Sequence, residues 1–139
     1  HRKLKNLNLN INYENQTLNF NQSNVLFQNV LMINLNRSKF KSSKSNQYFI
    51  GEFEILIKDY SNLYSFFQTK KQYRKKINFI NFFVKYDFLK NSLKFEDLTV
   101  DGKSNENIEF IIKQFNQENR ILRNRVDVKN FFNSIVEEL

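Results

Sequence analysis

The sequence predicts an α+β fold dominated by an antiparallel sheet of about six to eight strands, with one short inserted helix and two C-terminal helices. Up to about Val100, apolar residues fall on every second position within successive runs. Polar segments with the composition of turns separate these runs. After Val100 the apolar spacing changes to three and four residues, which is typical of an amphipathic helix covering a sheet.

The first run, residues 6–14, alternates completely between apolar and polar side chains. Its apolar positions are Leu7, Leu9, Ile11 and Tyr13. A period of two predicts a strand with one apolar face and one polar face. The segment Glu14-Asn15-Gln16 then predicts a hairpin turn into an antiparallel partner that carries Leu18 and Phe20.

Two further apolar runs extend this pattern. The run from Val25 to Leu35 predicts one longer strand, or two strands with a break between them. The Ser/Lys-rich segment 37–46 has no periodicity and predicts a mobile loop. A strand follows from Tyr48, and its apolar face holds Phe49, Gly51, Phe53, Ile55 and Ile57. Gly51 indicates a bulge or a close approach of another backbone.

The segment 59–100 predicts a short helix followed by a hairpin. Asp59 is a good N-cap for a helix that ends near Gln68, with Leu63, Phe66 and Phe67 facing inward. The strand 79–88 is predicted to be buried on both sides at its start. After a turn at 89–92, apolar residues move from odd to even positions, which predicts a bulge at Glu96-Asp97.

The C-terminal segment predicts two one-sided helices, over 104–118 and 127–139. Asp101-Gly102 leads out of the sheet, and Ser104 or Asn105 is expected to cap the first helix, while Asp127 is expected to cap the second. The chain is therefore predicted to be a single-domain fragment. It consists of strand repeats (1–58), a helix plus hairpin (59–103) and the C-terminal helices (104–139).

Residue types that carry catalytic chemistry are scarce in this chain of 139 residues. It has no cysteine, and its single histidine is His1, on a terminus expected to be frayed. The pair Glu52 and Glu54 shares a strand face and could hold a cation or act as an acid/base pair, but a solvated face is the simpler interpretation. The sequence therefore predicts a protein that is not an enzyme and has no cofactor and no metal site.

The net charge of +8 is a weak indicator of partners, because the composition is skewed as a whole. There are 23 Asn, 16 Lys and 16 Phe against 2 Gly, a bias expected of an AT-rich genome. A basic cluster with an aromatic residue could bind RNA through phosphates and stacking. Its members are Lys70, Lys71, Tyr73, Arg74, Lys75 and Lys76. The alternative hypothesis is thus an RNA-binding or ribosome-associated protein from an AT-rich genome or organelle, although nucleic acid is not the favoured partner.

From Gly51 onward, a series of short segments follows in an order that resembles a known family. They are Gly51-Glu52-Phe53-Glu54-Ile55, Asp59, Phe66-Phe67-Gln68, Lys71, Arg74, 82–87, 100–105, Phe115-Asn116, 123–125 and 129–133. Together they are similar to the C-terminal region of the AsmA-like envelope proteins of Gram-negative bacteria. The chain departs from that family in having no N-terminal membrane anchor and no aromatic-glycine ending.

The resemblance implies a periplasmic protein that is anchored in the inner membrane by an N-terminal helix and has further β-rich polypeptide upstream. It also implies a curved sheet at the end of a longer β-groove that passes lipid acyl chains between membranes during outer-membrane biogenesis. The candidate groove residues are Leu7, Leu9, Ile11, Phe53, Ile55 and Ile57. The alternative within the same family is that this apolar face is ordinary core covered by the helices.

Overall fold

The computed structural model describes residues 4–139 and consists of an open antiparallel sheet of eight strands with three helices. The strands are β1 (Leu4–Asn8), β2 (Asn12–Glu14), β3 (Thr17–Asn19), β4 (Ser23–Phe27), β5 (Leu31–Ser42), β6 (Gln47–Ile57), β7 (Phe79–Asp87) and β8 (Ser92–Val100). The helices are α1 (Tyr60–Phe67), α2 (Glu106–Gln117) and α3 (Arg125–Glu137), and a 3-10 turn spans Lys71–Tyr73. The predicted fold class is confirmed.

The sheet order is β1-β4-β5-β6-β7-β8, and the short hairpin β2-β3 pairs with the distal half of β5. One half of the long strand β5 therefore pairs with β4 and the other half with β3. Where the outer strands break, the Ser23 hydroxyl accepts from the backbone N–H of Asn10 at 3.0 Å and donates to its carbonyl at 3.3 Å. This side chain supplies hydrogen bonds that the interrupted ladder does not.

Residues other than glycine make most of the left-handed turns. Among the described residues, twelve non-glycine positions have a positive φ. Asn15-Gln16 and Gln28-Asn29 are two such pairs, with both φ angles near those of a type I′ hairpin turn. The first pair confirms the predicted hairpin. The second separates β4 from β5, so the run from Val25 to Leu35 is two strands and not one.

The predicted loop at 37–46 is wrong, because β5 continues to Ser42 and only residues 43–46 leave the sheet. Arg37 has a φ of 43° at a bulge, where the register with β6 shifts between Asn36 and Lys39. The bulge moves the inward positions from odd to even numbers, so that Ser38 and Phe40 follow Leu35 on the inner face. That phase change removed the periodicity from the sequence pattern.

The bulge predicted in β8 is confirmed. Asp97 has a φ of 52°, and the β7-β8 register shifts between Asn81 and Phe83. The close approach of another backbone predicted at Gly51 is wrong in kind: a Cβ atom there would lie 2.4 Å from the Ser38 hydroxyl oxygen, so the close neighbour is a side chain. The pairing of β6 with β7 is regular through Gly51, so the bulge itself lies opposite, in β5.

Side-chain caps begin all three helices. Asp59 accepts from the N–H of Asn62 at 3.0 Å, which confirms the predicted cap of α1. Asn105 caps α2 by accepting from Ile108 at 2.9 Å. The prediction that Asp127 caps the last helix is wrong: Asn124 is the cap, and α3 begins at Arg125.

Asn124 takes this role because its side-chain oxygen reaches two free N–H groups of the first turn, those of Val126 at 2.8 Å and Asp127 at 3.0 Å. The Asp127 carboxylate instead accepts from the N–H of Arg123, before the helix.

The buried core lies between one face of β7 and β8 and the three helices. It is formed by Leu63, Tyr64, Ile77, Ile80, Val84, Phe95, Leu98, Val100, Ile108, Ile112, Phe115, Ile135 and Val136. The one-sided spacing of α2 places Ile108, Ile112 and Phe115 in this core, as predicted. The helices thus cover the β7-β8 end of the sheet.

Candidate functional site: an apolar sheet face

Strand register places most of the apolar side chains of the long strands on one face of the sheet, although Leu26, Met32, Leu56 and Phe79 form a shorter row on the other face. Antiparallel partners that lie directly opposite share a face. One such row runs across β4, β5 and β6 through Val25, Ile33 and Ile55. A second row joins Leu18, Phe40 and Phe49 of β3, β5 and β6. This face is therefore continuous from the core to the outer strands.

The six predicted groove residues lie in two separate places, and Leu9 and Ile11 lie in the break between β1 and β2, so the predicted strand 6–14 is interrupted. Phe53, Ile55 and Ile57 are half-buried and pack against the core beneath the helices. Leu7, Leu9 and Ile11 lie at the opposite edge of the sheet and are 58%, 55% and 50% exposed. The structure brings together the members of each trio but not the two trios with each other.

Between the two trios lies a part of the face that sequence reasoning did not single out. Its side chains are half-buried and are not among those that pack against the core. We call this set the open face, and it consists of Leu18, Phe20, Val25, Ile33, Leu35, Phe40 and Phe49. Alternation indicated an apolar face within each predicted strand, but Phe40 fell in the segment expected to be a loop. Only the docked helices show which of these residues lie outside the covered part.

A row of contacting phenylalanine rings connects the open face with the core. The ring centroids of Phe20 and Phe49 are 6.4 Å apart, and those of Phe49 and Phe53 are 6.1 Å apart. Phe53 stacks on Phe82 at 5.2 Å, and Phe82 meets Phe95 at 5.5 Å. The row of rings therefore runs from an outer strand to the residues beneath the helices, past Gly51 and the buried Ser38 hydroxyl.

An apolar cavity of about 170 Å³ lies where the sheet meets α1 and α3. Its lining consists only of Leu, Ile, Val and Phe side chains, including Ile55, Leu63, Phe67, Leu98 and Ile135. The cavity is partly open, so an apolar group can reach it from outside.

The opposite face of the sheet carries the acidic pair, and its partners are side chains of the protein. Glu54 accepts from the Asn34 amide at 2.7 Å, and Glu52 accepts from the Arg37 guanidinium at 2.8 Å. The hydrogen bond to Glu52 raises the pKa of Arg37 above its usual value. Within residues 4–139, no three acidic or histidine side chains come close enough to hold a metal.

Tyr64 is the fully buried titratable side chain of the core. Its hydroxyl donates to the Lys75 carbonyl at 2.5 Å, and burial raises the pKa of the phenol above 10. This hydrogen bond anchors α1 to the segment that follows it. The Tyr64 hydroxyl therefore has a structural role, and its proton is already donated to the Lys75 carbonyl.

The basic cluster forms an exposed turn between α1 and β7. Lys70, Lys71, Lys75 and Lys76 are exposed, and the Lys70 ammonium lies 5.9 Å from the centre of the Tyr73 ring. The Arg74 guanidinium donates to the Thr69 carbonyl at 2.9 Å. The Lys75 ammonium donates to the Leu139 carbonyl, so the cluster offers cations to solvent with Arg74 and Lys75 already bonded to backbone.

Comparisons with protein-family models, with curated proteins and with solved structures each found no match to this chain. The AsmA-like resemblance therefore stays a prediction from the sequence. None of the helices described for residues 4–139 has the length and apolar character needed to cross a membrane. His1, the single histidine, lies outside the described residues.

Proposed function

We propose that this chain is the non-enzymatic C-terminal part of a periplasmic AsmA-like protein that carries phospholipid acyl chains between membranes during outer-membrane biogenesis. The observation that supports the proposal is the open face, a continuous apolar surface on a sheet whose other end is covered by helices. A continuous apolar surface that stays partly open to solvent is typical of a site that binds another apolar surface. The acyl chain of a lipid is such a partner.

The physical benefit of such a surface is large. Water disfavours an exposed acyl chain by about 0.8 kcal/mol for each CH₂ group, or on the order of 13 kcal/mol for a chain of about 16 carbons. The open face would shield one side of an acyl chain with Leu, Ile and Phe side chains. In this proposal the anchor helix and further strands belong to the upstream polypeptide, and the sheet would continue from β1.

The test is mass spectrometry of lipid extracted from the purified full-length protein, compared with variants of the open face. Charged variants Ile33→Glu and Leu35→Glu place carboxylates in the path of an acyl chain without entering the packed core. Lys39→Glu is the matched control, because Lys39 is exposed on the same strand but lies outside the open face. We expect phospholipid with the wild type and the control, and much less with the two open-face variants.

If the wild type carries no lipid, the proposal is wrong. Equal lipid content in all four proteins would also contradict it, since binding would then be independent of the open face. Circular dichroism of each variant separates a loss of lipid from a loss of folding.

A second candidate function rests on the basic cluster around Tyr73, whose lysines are all exposed. An RNA-binding or ribosome-associated protein would use these cations on phosphates, with affinity that falls steeply as salt rises. Titration of a labelled single-stranded RNA at low salt tests this function, with Lys71→Glu/Lys75→Glu as the variant. Absence of binding at low salt would remove it.

A further inference from the structure

We infer that the apolar cavity beneath α1 and α3 receives the methyl end of an acyl chain whose remaining carbons lie along the open face. The inference rests on the proposed function and adds the binding position and the orientation of the ligand. It concerns the cavity of about 170 Å³ that is lined by Ile55, Leu63, Phe82, Leu98 and Ile135, among others.

The chemistry of the lining selects an apolar occupant. No side chain around the cavity carries a polar atom, so a water molecule inside would find no side-chain partner. Enclosed apolar cavities of about 150 Å³ stay dry and bind benzene, and this partly open cavity has a lining of the same chemistry. A cavity of about 170 Å³ thus has room for an apolar group of about six carbons, which is the end of an acyl chain and not its headgroup.

The cavity is next to the open face. Ile55 lines the cavity, and its direct cross-strand partner is Ile33 of the open face. Phe82 also lines the cavity and stacks on Phe53, whose ring contacts Phe49 of the open face. An acyl chain on the open face can therefore enter the cavity without passing a charged or hydrogen-bonding side chain.

Nuclear magnetic resonance can locate each end of the ligand. The full-length protein is deuterated except for Ile, Leu and Val methyl groups, and dodecanoic acid is the probe. We expect intermolecular nuclear Overhauser effects from the terminal methyl of the probe to Leu63, Leu98 and Ile135. The methylene next to the carboxylate should instead contact Ile33 or Leu35. A second arm with dioctanoyl phosphatidylglycerol distinguishes a phospholipid source from a free fatty acid.

A filled cavity provides the second measurement. Ile135→Phe adds volume inside the cavity, whereas Ile111→Phe makes the same change on α2, away from the cavity lining. We expect Ile135→Phe to weaken binding of dodecanoic acid by about tenfold, as when two methylene groups lose their burial. The Ile111→Phe control should bind like the wild type. If Ile135→Phe does not fold, the intermolecular nuclear Overhauser effects measured on the wild type still test the inference.

Each outcome has one meaning. A terminal methyl that contacts only open-face residues overturns the inference and leaves the proposed function intact. Benzene that shifts the Ile135 methyl signal while dodecanoic acid does not shows a packing void, which also overturns the inference. No binding of either lipid anywhere contradicts the proposed function itself.

Discussion

Gly51 lies directly against the Ser38 side chain of the neighbouring strand β5. The Ser38 side chain occupies the space that a Cβ of Gly51 would take, and its hydroxyl donates to the Asn36 carbonyl at 2.8 Å. Ser38 is 1% exposed, so it has no free volume into which to move. The bulge at Arg37 directs this hydroxyl against β6. A glycine in the middle of a strand is therefore required here by packing.

Gly51→Ala should destabilise the protein by about 1–3 kcal/mol, because the added methyl group collides with the Ser38 hydroxyl in a closely packed sheet. Urea denaturation measures the change as a lower midpoint.

The double variant Gly51→Ala/Ser38→Gly removes the collision and should recover part of the loss. The coupling in a double-mutant cycle separates this contact from the cost of placing a glycine in β5. An unchanged urea midpoint for Gly51→Ala would show that the two strands are free to separate.

One side chain of helix α2 hydrogen-bonds to the backbone of β8 at the outer edge of the sheet. The Asn116 amide accepts from the N–H of Phe95 at 2.9 Å and donates to its carbonyl at 2.7 Å. These are the two backbone groups that an additional strand would otherwise bind. The side chain of α2 thus replaces a neighbouring strand at this point.

Asn116→Ala should destabilise the protein by about 1–3 kcal/mol, since both Phe95 groups lose their partner in a half-buried place. Thermal unfolding gives the size of the effect, and hydrogen exchange should become faster at the Phe95 amide.

Gln114→Ala, an exposed change on the same helix, is the control and should stay within about 0.5 kcal/mol of the wild type. If Asn116→Ala unfolds and exchanges like this control, the edge contact contributes nothing to stability.

The order and type of the helices and strands were predictable from the sequence where the spacing of apolar residues within one segment was sufficient. Alternation was sufficient for β6 and β7, and the phase slip for the bulge at Asp97. The turn at Gln28-Asn29 was not distinguishable from a break, because a chain with two glycines makes its left-handed turns from asparagine and glutamine. Asn124 and Asp127 are both residue types that cap helices well, and only the observed start of α3 at Arg125 shows that Asn124 is the cap.

The candidate site was predictable in part. The period-two pattern showed that an apolar face exists, but it could not show which half the helices cover. That division depends on where α1 and α3 dock, and their amphipathic spacing fits any apolar surface. Phe53 and Leu7 look alike in the sequence, yet one is half-buried against the core and the other is 58% exposed.

At the scale of the whole molecule, the two edges of the sheet differ. Asn116 and α2 occupy the β8 edge, whereas within residues 4–139 no strand pairs with the outer side of β1. The apolar side chains of Leu7, Leu9 and Ile11 are exposed beside that edge. An open edge with apolar neighbours favours pairing with another strand.

The 139-residue chain should therefore form dimers at high concentration through β1, with a two-fold axis between the copies. Sedimentation velocity over a range of concentrations detects them. Leu9→Lys/Ile11→Lys should shift the chain to monomers, because the new charges would face each other across the edge.

Phe110→Lys, on an exposed side chain of α2, serves as the control and should dimerise like the wild type. Dimers that persist unchanged in the Leu9→Lys/Ile11→Lys chain would assign the association to another surface.

The β8 edge, to which α2 is bonded, also limits how many copies of the chain can assemble edge to edge. Cross-β fibrils elongate only when each molecule offers a free edge on both sides, so that every copy can accept one neighbour and present itself to the next. A sheet with α2 along its β8 edge can bind a partner strand at β1, but it offers no second free edge to a further molecule. By occupying the outward backbone groups of Phe95, Asn116 disfavours edge-to-edge polymerisation of this phenylalanine-rich chain, while β1 stays available for a single strand.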